Sequence, residues 1–246
     1  MKRVILAALV FGFMAVPAFA DWPNEKPIRL MVGFGAGGGT DIVARIVAAP
    51  LSELLKQTVV IENKPGAGGA IAGDIVAKAD KDGYTASMIS AGHTVSAAMV
   101  KAVRYDAVKD FAAVALVADS AFVVVARKDF PANDIQGLVK LAKASPGKLN
   151  LASVGLGSTQ HFAGELLSQM TGIDVKHIPY RGTPAVVTAL RAQEVDYAVE
   201  LLHAVQGQVQ AGELKLLAVG APSRWPSIPN VPTVAESGVP GYAVLG

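Results

Sequence analysis

The chain has 246 residues, of which 22 are lysine or arginine and 20 are aspartate or glutamate. This balance excludes a strongly basic surface, which binding to nucleic acids or anionic membranes would require. The absence of cysteine excludes disulfides, thiol catalysis and a lipid anchor attached through cysteine. A chain of this length fits one large domain or two smaller ones.

The first twenty residues have the pattern of a secretory signal peptide. Lys2 and Arg3 precede an apolar run over residues 4–16, and Ala18-Phe-Ala20 has the small-residue pattern of a cleavage site before Asp21. The apolar run is short for a membrane span. Without this segment the acidic and basic side chains number 20 each. We therefore expect an exported mature protein with no net formal charge and no lipid anchor.

From Ile28 onward, short apolar runs alternate with segments of helical periodicity. The runs are continuous rather than alternating, which predicts parallel strands covered on both faces by helices, in an open α/β fold. The predicted strands are 28–34, 58–62, 85–90, 113–117, 122–127, 149–153, 175–179, 197–201 and 214–219. The predicted helices are 41–56, 69–79, 135–144, 159–170, 184–192 and 204–211.

The first predicted strand runs directly into a glycine cluster that opens the first predicted helix. Glycines let backbone N–H groups approach a ligand without a Cβ atom in the way, and a helix N-terminus adds unpaired donors and the positive end of its dipole. This order of elements predicts a pocket for an anion. Its predicted binding residues are Phe34, Gly35, Ala36, Gly37, Gly38, Gly39, Thr40 and Asp41.

A second junction of this kind follows about a domain's length later, again with an apolar strand, glycines and hydroxyl caps before a helix. A third glycine cluster, at residues 65–69, is explained by a tight turn alone. Two anion-binding junctions on one ligand would account for micromolar binding without any reaction. The predicted binding residues of the second junction are Gly155, Leu156, Gly157, Ser158, Thr159, Gln160 and His161.

The two junctions suggest two lobes, with the strand at 122–127 as the crossover between them. The predicted divisions are a signal peptide at 1–20, a first lobe at 21–123, a second lobe at 124–236 and a return towards the first lobe at 237–246. Pro50 lies in the middle of the first predicted helix, where a proline either kinks the helix or divides it into two.

Enzymatic alternatives are weaker. Gly33, Gly35 and Gly38 fit a dinucleotide fingerprint, and Glu62 lies where a ribose-binding acid is expected. Export argues against this, because nicotinamide cofactors are not expected outside the cytoplasm. There is no nucleophile elbow for a hydrolase, and the four histidines lack the spacing of a metal site. We expect neither a cofactor nor a metal.

Several motifs, in order along the chain, resemble one family. They are residues 31–45, 60–69, 82–84, 105–106, 109–111, 163–166, 178–182 and 229–236. Together they resemble the Bug-type periplasmic solute receptors of tripartite tricarboxylate transporters, over essentially the whole mature chain.

The resemblance implies a two-lobed α/β fold like that of type II periplasmic binding proteins, with a ligand cleft between the lobes. A non-enzymatic, monomeric receptor would hold a small organic carboxylate between the two glycine loops and close on it by hinge motion. Its partners would be membrane permease subunits. His93 and Thr94, in the loop after the third strand, are also expected to line the cleft. The same is expected of Tyr180 and Arg181, and Arg181 could meet a second acidic group bidentately.

The chain departs from the family pattern in three places. Many relatives carry an aspartate–asparagine pair where this chain has Glu200 and Leu201. Glu200 could accept a hydrogen bond from an amino or hydroxyl group of the ligand, or could simply be solvated. Pro50 is unusual in the first helix, and we expect the C-terminal part of the family fold to be missing after Gly246. A sensor input without a transport role and an exported dinucleotide-dependent enzyme remain as alternatives.

Overall fold

The computed structural model describes residues 22–99, 101 and 103–246, so the predicted signal peptide lies outside the described residues. The strands are β1 (Ile28–Val32), β2 (Val59–Asn63), β3 (Thr85–Met88), β4 (Phe122–Arg127), β5 (Asn150–Ser153), β6 (Lys176–Pro179), β7 (Tyr197–Leu201) and β8 (Leu214–Val219). The α-helices are α1 (Gly39–Leu55), α2 (Ala70–Ala77), α3 (Gly92–Met99), α4 (Ile135–Ala144), α5 (Thr159–Thr171), α6 (Thr183–Arg191) and α7 (Leu202–Gln210). In this part of the chain no helix is long and apolar enough to cross a membrane.

The strands form two separate sheets. The first has three parallel strands in the order β2-β1-β3, and the second has five strands in the order β6-β5-β7-β4-β8. In each sheet a strand with a glycine-rich carboxyl end, β1 or β5, has parallel partners on both sides. Such an edge, at the carboxyl ends of parallel strands, is where ligands of open α/β sheets bind.

The prediction of parallel strands is wrong for β4, which runs antiparallel to both β7 and β8. Its side chains are buried on both faces: Val124 packs into one hydrophobic cluster, and Val123 and Val125 pack into another. A strand covered on both faces is continuously apolar in either orientation. The pattern therefore could not give its direction.

Three local predictions also differ from the structure. Residues 113–117 form no strand, and Val114 is 94% exposed, because no neighbouring strand pairs with this run in the described chain. His93 and Thr94 lie in the helix α3 instead of a loop. Pro50 lies inside α1, which runs through it as one helix.

The C-terminal residues lie against the five-stranded sheet next to β4. Gly246 and Ser120 exchange two backbone hydrogen bonds of 3.0 and 3.1 Å, and the Val244 N–H donates to Gly220 O at 2.8 Å. Tyr242 is buried, and its hydroxyl donates to Ala163 O at 3.0 Å. These contacts bring the segment to the place where the chain passes from one sheet to the other. The predicted lobe boundaries stay a prediction.

Candidate functional site

The first glycine loop lies against the start of α6 and the end of β7. A Cβ atom on Gly35 would lie 2.8 Å from Arg181 O, and one on Gly39 would lie 2.5 Å from Leu201 Cδ1. Both distances are shorter than any ordinary contact of a Cβ atom. Glycine is therefore required here by close approach of the two halves of the chain, in addition to any ligand.

Asp41 holds the first loop in shape and is not free to face a ligand. It is 1% exposed, and its Oδ2 accepts hydrogen bonds from the Gly37 N–H and from Arg45 Nε, both at 2.8 Å. Its Oδ1 accepts from Arg45 Nη2 at 3.0 Å and from Asn63 Nδ2 at 2.9 Å. The same Asn63 amide also donates to Phe34 O at 3.0 Å. Asp41 therefore joins the loop to α1 and β2.

Burial alone would raise the pKa of Asp41, but the hydrogen bonds from Arg45, Gly37 and Asn63 outweigh it and hold the pKa below its ordinary value. The contribution to stability is therefore present above the ordinary aspartate range and is lost as pH falls through the lowered pKa. We expect Asp41→Asn to lower the free energy of unfolding by about 2 kcal/mol at pH 7, and by less in acid.

Urea denaturation of the wild type and of Asp41→Asn, at pH 7 and in acid, measures the change in the free energy of unfolding. Asp74→Asn is the matched control, because Asp74 forms an i,i+4 pair with Lys78 in which the two side chains are 37% and 63% exposed. This exposed pair should contribute less than about 0.5 kcal/mol. Equal losses in the two variants would contradict the role given to Asp41.

The second glycine loop is closed by its own helix cap. Ser158 is the N-cap of α5: its Oγ accepts from the His161 N–H at 3.2 Å and donates to Gly155 O at 2.8 Å. Gly155 and Gly157 have φ values of +128° and +79°, which favour glycine. The Gly157 N–H points towards His161 Nδ1 at 3.4 Å. Leu156, at the tip of the loop, is 62% exposed.

Beside this loop, His177 of β6 comes close to two side chains of α5, His161 and Glu165. The rings of His161 and His177 stack with centroids 4.1 Å apart, and Glu165 lies beside His161. Burial, with a smaller effect of His161, lowers the pKa of His177 to about 4. Its Nε2 lies 2.6 Å from Ser153 Oγ. One potential ligand atom of each of the three residues lies within 4.8 Å of the other two. Stacking of the two rings accounts for this proximity without a metal, and we assign none to them.

Between the loops lies a small cavity of about 30 Å³. Helices α1, α5 and α6 all begin at it, which brings three helix N-termini together. The residues that line it are Phe34, Gly38, Gly39, Thr40, Ser90, Phe122, Val154, Gln160, Gly182, Thr183, Leu201 and Gly246. Five of these residues were predicted from the sequence: Phe34, Gly38, Gly39, Thr40 and Gln160. Gly182 and Thr183 were missed, although they repeat the same order of strand, glycine and helix.

Two polar side chains join the glycine loops across the cavity region. Ser96 Oγ lies 2.9 Å from Gly68 O and 3.2 Å from Gly157 O, between the third glycine cluster and the second loop. His203 Nε2 donates to Gly39 O at 3.1 Å, and its Nδ1 accepts from the Ser120 hydroxyl at 2.8 Å. Nothing in the local sequence indicates these contacts. The third cluster thus contacts the second loop, beyond the turn role expected of it.

The other predicted residues lie outside the cavity lining, among them His93, Thr94, Tyr180, Arg181 and Glu200. His93 is buried in an aromatic cluster, stacked on Tyr105 with centroids 5.5 Å apart, and its Nε2 lies 3.1 Å from Ala107 O. Thr94 is exposed and donates to Ala91 O. Tyr180 is half-buried and packs against the five-stranded sheet, and Arg181 is exposed. His93 and Thr94 lie in α3, and Tyr180 and Arg181 lie between β6 and α6.

The side chain of Glu200 is completely buried at the carboxyl end of β7. Its Oε2 accepts from Thr183 Oγ1 at 3.1 Å, and its Oε1 has no hydrogen-bond partner among the described residues. Burial raises the pKa of Glu200 to about 7, although Thr183, Gln160 and the backbone of Leu201 act in the opposite direction. The expectation that it could be a solvated group is wrong.

Glu62, the residue at the position of a ribose-binding acid, forms an ion pair with Arg29. Glu62 accepts from Arg29 Nε at 2.6 Å and Nη2 at 3.1 Å across the neighbouring strands β1 and β2. Its carboxylate is therefore part of the sheet surface, and nothing in its surroundings points to a ribose.

Three solved structures resemble this one. Rpa4515 of R. palustris, solved with adipate, matches with a TM-score of 0.86 and 36% identity over 92% of this chain and 75% of its own. The periplasmic binding protein BugD matches with a TM-score of 0.86 and 36% identity over 90% and 74%. MatC from Rhodopseudomonas palustris, with bound malate, matches with a TM-score of 0.83 and 32% identity over 90% and 76%.

These matches confirm the predicted two-lobed α/β fold of a periplasmic binding protein, and the structures are binding proteins, not enzymes. The alternative of an exported dinucleotide-dependent enzyme is thereby set aside. The family model described as the tripartite tricarboxylate transporter family receptor matches residues 43–245. This chain belongs to that family of solute-binding receptors.

Proposed function

We propose that the mature protein is a periplasmic receptor that captures a small organic carboxylate between its two glycine loops and delivers it to a membrane permease. Its relatives with adipate and malate support the ligand class, and its family supports the transport partner. The proposed binding residues are those of the two loops that reach the cavity, together with Thr183 and Glu200. His93 and Thr94 are left out because their side chains face elsewhere.

One observation carries this proposal: the N-termini of α1, α5 and α6 meet at one cavity. The first-turn N–H groups of a helix have no partner within the helix, and its dipole favours an anion there. Each charge-assisted hydrogen bond to a carboxylate contributes roughly 1.5–3 kcal/mol. Three such ends supply the roughly 8 kcal/mol of a micromolar complex after the costs of association.

The dimensions of the cavity imply a hinge motion. A volume of about 30 Å³ holds a water molecule or two but no dicarboxylate. The loops are held together by Ser96 and His203, whose hydrogen bonds cross between the two sheets. Ligand entry therefore requires these contacts to open, and closure around the ligand reforms contacts of this kind.

Thermal unfolding of the mature protein, residues 21–246, with a panel of ligands tests the proposal. We expect a rise in Tm with at least one small mono-, di- or tricarboxylate, because a ligand that binds only the folded state stabilises it. Stabilisation by nucleotides alone would overturn the proposal. A sensor without a transport role predicts the same binding but no loss of ligand uptake when the gene is deleted.

A further inference from the structure

Glu200 is the one fully buried carboxyl among the described residues, and it lies beside the proposed carboxylate site. It is placed at the carboxyl end of β7, next to the residues that begin α5 and α6. Three of its neighbours, Gln160, Thr183 and Leu201, line the cavity. Glu200 itself lies outside the lining of the closed cavity and is hydrogen-bonded to Thr183, so its contact with a ligand requires the cleft to open.

One oxygen of this carboxyl still needs a donor. Thr183 donates to Oε2, whereas Oε1 is buried and has no partner in the described part of the chain. The amide of Gln160 and the backbone N–H of Leu201 lie close enough to the carboxyl to lower its pKa, but neither is a hydrogen-bond partner of Oε1. Buried acceptors in folded proteins are nearly always paired. We therefore expect a ligand to supply the hydrogen-bond donor that Oε1 lacks.

The described residues also supply no counter-charge within 4.0 Å of this carboxyl. None of the ion pairs in the described residues includes Glu200, so no lysine, arginine or histidine nitrogen lies within 4.0 Å of it. The basic side chain that follows it in sequence, His203, uses both ring nitrogens for Gly39 and Ser120. The dipoles at the starts of α5 and α6 offset part of the negative charge of ionised Glu200. They supply neither a hydrogen-bond donor for Oε1 nor a full positive charge.

We propose that Glu200 is a specificity-determining residue that accepts a hydrogen bond from an amino group of the ligand, so that the receptor selects amino acids over simple carboxylates. This inference rests on the proposed function, in which the ligand carboxylate lies at the helix N-termini. An ammonium group supplies both the missing donor and the missing charge. A hydroxyl group supplies only the donor, and a second carboxylate would be repelled by ionised Glu200.

Calorimetric titration with matched ligand pairs tests the inference. L-Aspartate with succinate and L-glutamate with glutarate differ only in the amino group, and L-malate adds the hydroxyl analogue of aspartate. We expect the amino member to bind about 10- to 100-fold more tightly. We also expect it to release protons at pH 7, because a bound ammonium keeps Glu200 ionised. Titration in two buffers of different ionisation enthalpy measures that release without any variant.

Glu200→Gln should remove most of the preference for the amino member and leave the affinity for the simple acid unchanged or improved. Glu194→Gln, in the exposed turn at the opposite end of β7, is the charge-matched control and should change neither. Equal binding of both pair members, tighter binding of malate than of aspartate, or proton uptake on binding would overturn the inference and leave carboxylate capture standing. If no carboxylate of either kind binds, both proposals fail.

Discussion

Gly39→Ala should impair closure of the receptor on its ligand while leaving it folded. The new Cβ would lie 2.5 Å from Leu201 Cδ1, 3.2 Å from Leu201 Cβ and 2.9 Å from His203 Nε2. Overpacking of this kind costs about 1–3 kcal/mol, which corresponds to a roughly 5- to 150-fold loss of affinity. Alanine suits the first turn of a helix better than glycine does, so α1 itself should not be weakened. Calorimetry with the carboxylate that stabilises the wild type most gives the affinity.

Gly207→Ala is the matched control for this change. Gly207 lies in α7, and a Cβ atom there would meet nothing within 4 Å. This variant should bind like the wild type and gain about 0.5–1 kcal/mol of stability from helix propensity. If Gly39→Ala bound its ligand as tightly as Gly207→Ala does, the approach of the first loop to β7 would have no part in binding.

Glu200→Gln should remove the loss of stability that ionisation of Glu200 causes at alkaline pH in the absence of ligand. The pKa of Glu200 is raised by burial to about 7 from an ordinary value of 4.5, so the folded state retains a proton that the unfolded state loses. The wild type therefore has this contribution in full below pH 4.5 and loses it as pH rises through 7. The shift corresponds to about 3 kcal/mol.

Urea denaturation of both proteins at pH 4.5 and pH 8.5 measures the effect. The variant should gain about 3 kcal/mol relative to the wild type between the two pH values. The pKa of His177 is lowered to about 4, so its contribution to the stability of the protein has the opposite pH dependence. That contribution is lost as pH falls below the ordinary pKa of histidine. It is present in both proteins and cancels in the difference. If the difference in the free energy of unfolding between the two proteins were the same at both pH values, Glu200 would be hydrated and its pKa would have the ordinary glutamate value.

The elements around the site could be predicted where local sequence determines them. β1, the first glycine loop and α1 follow from an apolar run, glycines and helical periodicity, and Pro50 did not interrupt the helix. The prediction of a strand at residues 113–117 is wrong, because an apolar run does not reveal whether a neighbouring strand exists to pair with it. α3 was missed because it has only eight residues and begins at Gly92, which indicates a turn as readily as a helix.

What closes the site could not be predicted, because it depends on contacts between distant residues. Ser96 meets Gly157 across 61 positions of sequence, and His203 meets Gly39 across 164. The role of Asp41 is a further case: its position in the glycine loop suggested ligand binding, whereas its carboxylate is occupied by Arg45 and backbone. The contacts of polar side chains such as these cannot be predicted from local sequence, because they depend on the fold.

A crystal structure of the mature protein with its most stabilising carboxylate tests the central claim most directly. We expect the ligand carboxylate between the two glycine loops, with its oxygens about 2.7–3.1 Å from N–H groups at the starts of both α1 and α5. We expect the rest of the ligand to extend towards Glu200. A ligand held by one sheet alone, away from the cavity where α1, α5 and α6 begin, would contradict the account.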